Sequence, residues 1–219
     1  MLDLGQFSTH RRGFITRLAG AIGLAAVAPS RLFAEPSGRG EDPQLEAWFN
    51  RITGKHRMVF DATAPNGGMP AIWPRIYLNT MHDTYPTPDA DDTAVVILRH
   101  EGAPLALGDA MWAKYKFGEQ LKVDDNGHPA TRNVFATITG LPIPGLGVVE
   151  LLKAGVLIGV CNMALTVLSG TIAGKTGANA DDVKRELLAN VYPGIQLVPS
   201  GVMAVGRAQE KGCNYCYAG

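Results

Sequence analysis

The stretch "TAVVILRH", Thr93–His100, decides the fold. From Ala94 to Leu98 it is apolar without a break, and three of its residues are β-branched. A strand with one wet face alternates apolar and polar residues. An uninterrupted β-branched run needs apolar cover on both faces, the signature of a parallel sheet between helices. Similar runs lie on either side: "HRMVFDAT" before it, and "VLIGVC" and "IQLVPS" after it. The segments between them carry helical spacing. In "MPAIWPRIYLNTMHDTY" the apolar positions are Ile72, Ile76, Leu78 and Met81, and Pro74 belongs in the first turn or at a kink. "LALGDAMWAKYKFGEQLKV" reads as a second amphipathic helix, and "LGVVELLKAG" as a third that stops at Gly155. "ALTVLSGTIAGKTG" and "ADDVKRELLANVYPG" are helical, the second starting near Asn179 or Ala180. "GVMAVGRAQEKG" is a helix ending at Gly212, and "CNYCYAG" is a last short strand or tail.

Strands alternating with helices define an α/β fold with a mostly parallel sheet and right-handed crossovers. In such sheets the chemistry gathers at the carboxyl ends of the strands. The loops of interest therefore follow Asp61, His100, Cys161 and Pro199. The section 124–145, "DDNGHPATRNVFATITGLPIPG", breaks the alternation with turn residues and three prolines. It reads as an inserted loop with one β-prone run, "VFATIT".

The amino-terminal segment sets the expected compartment. Arg11-Arg12 is followed by Phe14, Ile15 and the weakly apolar run "LAGAIGLAAVAP". That run of about a dozen residues falls short of the ~20 needed to cross a bilayer. The pattern fits a twin-arginine signal peptide over residues 1–34, with cleavage near Ala34 and a periplasmic product. Residues 35–55 read as a linker, "EPSGRGEDPQ", and a short helix docking through Leu45, Trp48 and Phe49. The domain proper is 56–219. The mature chain would carry 16 Lys+Arg against 19 Asp+Glu, a net charge of −3. Such a balance argues against nucleic acid as a partner, and no later run is long enough for a membrane span.

Three cysteines stand out in a chain expected to be exported. Cys161 ends an apolar strand and precedes a helix. A thiol at a helix amino terminus faces free backbone N–H groups and a partial positive charge, which suit a reactive sulfur. A buried filler or half of a disulfide are the other readings of Cys161. Asn162 can cap that helix or donate a hydrogen bond to the sulfur. His100 ends the second strand, where it can support the Cys161 thiolate, bind a metal, or be an ordinary edge histidine. Cys213 and Cys216 form a C-x-x-C without the histidine of a haem attachment site. They are open to a redox or disulfide role if a turn brings them together, because strand geometry holds positions i and i+3 ~10 Å apart on opposite faces. His82, with Met69 and Met81 near it in sequence, offers donors of the type copper takes, but the spacing matches no motif and no metal is assigned. "APNGGMP" lacks both the G-x-G-x-x-G pattern and the P-loop lysine, so no nucleotide and no other cofactor is expected.

Two segments carry a resemblance. "GVLIGVCNMAL", followed by a helix, and "IQLVPSGVMAVGRAQEKG", before a final short strand, resemble the DsrE/DsrF-like (YchN-like) sulfur-relay family. The more specific match is Val198-Pro199-Ser200-Gly201-Val202 with Arg207-Ala208-Gln209-Glu210-Lys211-Gly212, and the likeness spans roughly 56–217. It implies a flavodoxin-like three-layer sandwich and a homotrimer or homohexamer. It also implies a persulfide-carrying cysteine, whose position Cys161 occupies, and a sulfur donor or acceptor protein as partner. The function expected on this basis is periplasmic sulfur handling through Cys161, as persulfide carrier or sulfurtransferase. The alternative is a non-catalytic oligomer binding a metal or small ligand, with structural carboxy-terminal cysteines.

Overall fold

The structure is a computed structural model that describes residues 42–86, 88 and 91–219. The expected signal peptide and most of the linker lie outside the described residues. Helix α1 (Pro43–Phe49) opens the described chain, capped by the Asp42 carboxylate, which accepts from the backbone N–H groups of Gln44 and Leu45. The strands β1 (His56–Ala62), β2 (Asp92–Leu98), β5 (Leu157–Cys161), β6 (Gln196–Val198) and β7 (Asn214–Tyr217) form one sheet. Its order is β6-β5-β2-β1-β7, and every pairing is parallel. A separate hairpin pairs β3 (Asp124–Asp125) with β4 (His128–Pro129).

The central strand behaves as its composition demands. Val95 and Ile97 point to one face and Val96 and Leu98 to the other, all buried. On one face lie α2 (Met69–Thr84), α3 (Asp109–Tyr115), α4 (Phe117–Leu121), α5 (Val148–Lys153), α6 (Asn162–Thr176) and α7 (Ala180–Ala189). On the other lie α1 and α8 (Gly201–Glu210), through Trp48, Phe49, Ala204 and Ala208. The result is a three-layer, flavodoxin-like α/β sandwich.

The distribution of helices follows from handedness. The chain steps β1, β2, β5, β6 in one direction across the sheet, and right-handed crossovers put those connections on one face. The last crossover runs back the full width of the sheet to β7, so the same handedness places α8 on the opposite face. At the carboxyl edge, therefore, α6 leaves β5 toward one layer while α8 leaves β6 toward the other. Adjacent strands whose exits diverge in this way open a crevice, and that is where ligands bind in open α/β sheets.

Two local readings are corrected. The helix expected from Leu105 begins only at Asp109. Residues His100–Ala106 instead form a 3-10 helix containing Pro104, which has no N–H to give an α-helical ladder. Left-handed Lys116 (φ 52°) then splits the remainder into α3 and α4. The run "VFATIT" is no strand: a single bridge joins Ile138 to Leu146. The insertion also packs more closely than a surface loop. Phe135 meets Trp112 edge-on at 6.1 Å, and buried Asn133 donates its side-chain amide to the carbonyls of Leu105 and Leu107, both at 2.9 Å.

Candidate functional site

Cys161 is the last residue of β5 and the N-cap of α6. Its Sγ accepts the backbone N–H of Ala164 at 3.2 Å. The thiol therefore replaces the oxygen that Ser or Asp supplies at most helix starts. Asn162, expected as a cap, is instead the first helical residue. Its carbonyl accepts from Thr166 Oγ1 at 2.9 Å, and its buried Oδ1 has no hydrogen-bond partner among the described residues. Asn162 stands beside the thiol in sequence but is not among the cleft walls.

The crevice predicted by the topology is present as a cleft of about 570 Å³. The segments after β2, β5 and β6 converge on it, bringing Arg99, His100, Cys161 and Ser200 to one site. His100 sits there with a left-handed backbone (φ 51°), so the chain turns sharply as it leaves β2. Ser200 caps α8, its Oγ accepting from the N–H of Met203 at 3.5 Å. Gly201 gives room for the arginine stem, since a Cβ at that position would fall 2.6 Å from the Cβ of Arg99.

The fourth loop contributes indirectly. Asp61, near the end of β1 and only 3% exposed, holds Arg99 in a two-pronged contact: Nε donates to Oδ1 at 2.7 Å and Nη2 to Oδ2 at 2.8 Å. Tyr215, on β7, donates its hydroxyl to the same Oδ2 at 2.9 Å. The hydrogen bonds to Asp61 are the main reason the Arg99 guanidinium holds its proton more firmly than usual, and Cys161 adds a smaller electrostatic contribution. Burial, followed by the hydrogen bond to Asp61, pushes the Tyr215 hydroxyl up, so it remains a donor. Asp61 and Tyr215 are thus positioning residues for a cation on the cleft wall. The sequence marked the loop after Asp61 but carried no sign of this partnership.

Along α6 the cleft follows one face: Cys161, Ala164, Leu168, Thr171 and Lys175 recur at helical spacing. Met163, Val167 and Val202 form an apolar rim, and Val167 and Val202 are 63% and 70% exposed. Opposite the last turns of α6 stand Phe117, Gln120 and Leu121 of α4, and Lys175 Nζ donates to Gln120 Oε1 at 3.3 Å.

The carboxy-terminal cysteines lie elsewhere. Cys213 is buried among residues of the α1/α8 layer, and Cys216 packs against the other layer. Both are free thiols, and the sheet separates them. Burial pushes the Cys213 thiol up to about 11 and raises that of Cys216 as well. His82 lies at the opposite, amino-terminal edge of the sheet, in a smaller cleft of about 370 Å³ that also holds Arg51 and Arg75. Among the described residues no group of three or more His, Cys, Asp or Glu side chains is arranged to hold a metal ion. None of their helices is long and apolar enough to cross a membrane.

No family model and no curated protein matches the chain. A solved structure of a protein of unknown function from Methanobacterium thermoautotrophicum is similar over 74% of this chain and 98% of that one, at 17% identity and a TM-score of 0.39.

Proposed function

We propose that this is a periplasmic sulfur-handling protein of the DsrE/DsrF-like kind, in which Cys161 accepts a sulfane sulfur and passes it on. One observation carries the reading: the Cys161 thiol caps α6 on the wall of the cleft at the diverging exits of β5 and β6, with a backbone N–H on its sulfur. A sulfur anion held there, thiolate or persulfide, meets an N–H donor and the positive end of a fifteen-residue helix. The transfer needs no external oxidant. The Cys161 sulfur forms an S–S bond to the donor's outer sulfur, the donor's S–S bond breaks, and its thiol leaves with the electron pair and a proton. Arg99, held by Asp61, places a cation beside the site, and His100 supplies a titratable ring on the same wall.

The reading includes export through the twin-arginine segment and assembly into a homotrimer or homohexamer, which exchanges sulfur with a donor or acceptor protein. Replacing Arg11 and Arg12 by lysine should retain precursor in the cytoplasm, and light scattering should give a multiple of the monomer mass. The central test is intact mass after incubation with polysulfide, before and after reductant. Cys161 should gain one sulfur atom that reductant removes. Cys161→Ser keeps an oxygen acceptor for the Ala164 N–H and should fold normally yet gain nothing. Loading of the serine variant equal to wild type would remove Cys161 from the chemistry. The apolar walls favour a second reading, small-ligand binding without sulfur transfer. It would show as binding unaffected by Cys161→Ser.

A further inference from the structure

We propose that the donor or acceptor seated in this cleft is an elongated alkyl persulfide or thiol ending in an anionic group, a substrate class that rests on the persulfide reading of Cys161. The argument begins with size. A cleft of about 570 Å³ falls in the range of pockets that enclose small organic molecules, and an inorganic sulfide or short polysulfide would leave most of it to water. Its shape follows α6. Cys161 caps one end of that helix and Lys175 stands in its last turn, about 21 Å away along the axis at the helical rise of about 1.5 Å per residue. A lysine on a helix leans toward the amino terminus, which reduces the gap to be bridged to about 15 Å. An extended chain advances roughly 1.2 Å per bond, so a chain of about ten to twelve atoms spans it.

The chemistry of the walls matches that outline. Between the thiol and the lysine the cleft presents Met163, Ala164, Val167 and Leu168 on α6, with Phe117 and Leu121 opposite. These side chains offer an alkyl chain contact and offer a polar peptide few hydrogen bonds. The ends differ in charge. At the thiol end the Arg99 guanidinium is already engaged by the Asp61 carboxylate, and Glu101 adds a negative charge. At the far end the partner of Lys175 among the described residues is the neutral Gln120 amide, in a 3.3 Å hydrogen bond. An anionic head group is therefore favoured beside Lys175, which directs the sulfur end to Cys161. In the exchange the Cys161 sulfur bonds to the outer sulfur of R–S–S⁻, the donor's S–S bond breaks, and the inner sulfur leaves with the electron pair and the Cys161 proton as the alkyl thiol; the R–S bond and the alkyl chain do not react.

The test compares donors on the whole mature protein. The probes are an alkyl persulfide of about ten carbons with a terminal carboxylate, the same chain with a terminal alcohol, and a two-carbon carboxylated persulfide. All are generated from the disulfide and sulfide, with polysulfide as the inorganic reference. The readout is the concentration that half-saturates sulfur loading on Cys161, by mass. Each fully buried methylene contributes roughly fourfold, so two of them already give the long chain about a fifteenfold advantage. Lys175→Met should weaken the long carboxylate about threefold and leave the alcohol unchanged. Val167→Asn, at a position 63% exposed, should reduce the chain-length preference without unfolding the protein. Equal half-saturation for long and short chains, or a Lys175→Met effect blind to the head group, overturns the proposal. If polysulfide loads Cys161 and chain length has no effect, only this proposal falls. If no donor loads Cys161, the persulfide reading falls and takes this one with it.

Discussion

The Asp61–Arg99 contact makes a prediction whose sign is set by burial. Each side chain can be removed alone. Arg99→Met leaves the Asp61 side chain, 4% exposed, with the Tyr215 hydroxyl as its one donor among the described residues. Asp61→Asn leaves the Arg99 guanidinium, 28% exposed, which still reaches water. Stranding one partner of a buried ion pair costs about 3–5 kcal/mol. Arg99→Met should therefore cost about 4 kcal/mol, within that range. For Asp61→Asn the exposure of Arg99 and the remaining amide oxygen cut the loss to about 2 kcal/mol. The double variant removes both charges, so its cost should fall at least about 2 kcal/mol short of the sum. Urea unfolding followed by tryptophan fluorescence at one protein concentration measures all three, and about 2–4 °C in Tm per kcal/mol provides a thermal check. Equal costs for the two single variants, or an additive double variant, would refute the argument that the buried carboxylate is the vulnerable partner.

Three further outcomes follow from local geometry. Gly118→Ala should lower stability by about 3 kcal/mol, because the new Cβ would sit 2.2 Å from the backbone nitrogen of Ala130 and the insertion cannot yield without leaving α4; calorimetry checks it, and a change below about 0.5 kcal/mol would count against that packing. Asn133→Ala strands the carbonyls of Leu105 and Leu107 and the N–H of Phe135, costing about 2–4 kcal/mol, and Asn133→Asp should cost more because it replaces the donor with a carboxylate oxygen, an acceptor, facing two carbonyls; chemical denaturation of both variants gives the order. Cys213, pushed up to about 11 by burial, should alkylate at pH 8 about a hundredfold or more slowly than a free thiol. Since its folded value lies above the unfolded ~8.5, the stability it contributes is present below about pH 8.5 and is lost as pH rises toward about 11; Cys213→Ala should flatten that part of the stability–pH curve.

Much of the frame was legible because it rests on contacts between near neighbours in sequence. The unbroken run from Ala94 to Leu98 announced a strand covered on both faces, and it is buried on both. The glycine after Ala154 and the asparagine at 179 marked a helix end and a helix start, as found. The position of Cys161, after a strand and before a helix, was also readable, although the cap is the thiol itself and not Asn162. The packing of the insertion was not legible. Asn133 looks like a turn residue in sequence, and its burial depends on two carbonyls more than twenty residues away, in the segment where Pro104 and Gly108 prevent an α-helix.

The sequence by itself determined the elements and their faces, because apolar periodicity, caps and proline breaks act within one or two turns of chain. It also placed a cysteine where a helix begins. Only the tertiary structure decided the order β6-β5-β2-β1-β7, since backbone pairing between parallel strands is nearly independent of side-chain identity and leaves several orders open. That order, with right-handed crossovers, sends α6 and α8 apart at the exits of β5 and β6 and so creates the cleft. It also joins Asp61 to Arg99 across 38 residues and to Tyr215 across 154, long-range contacts that no local pattern encodes.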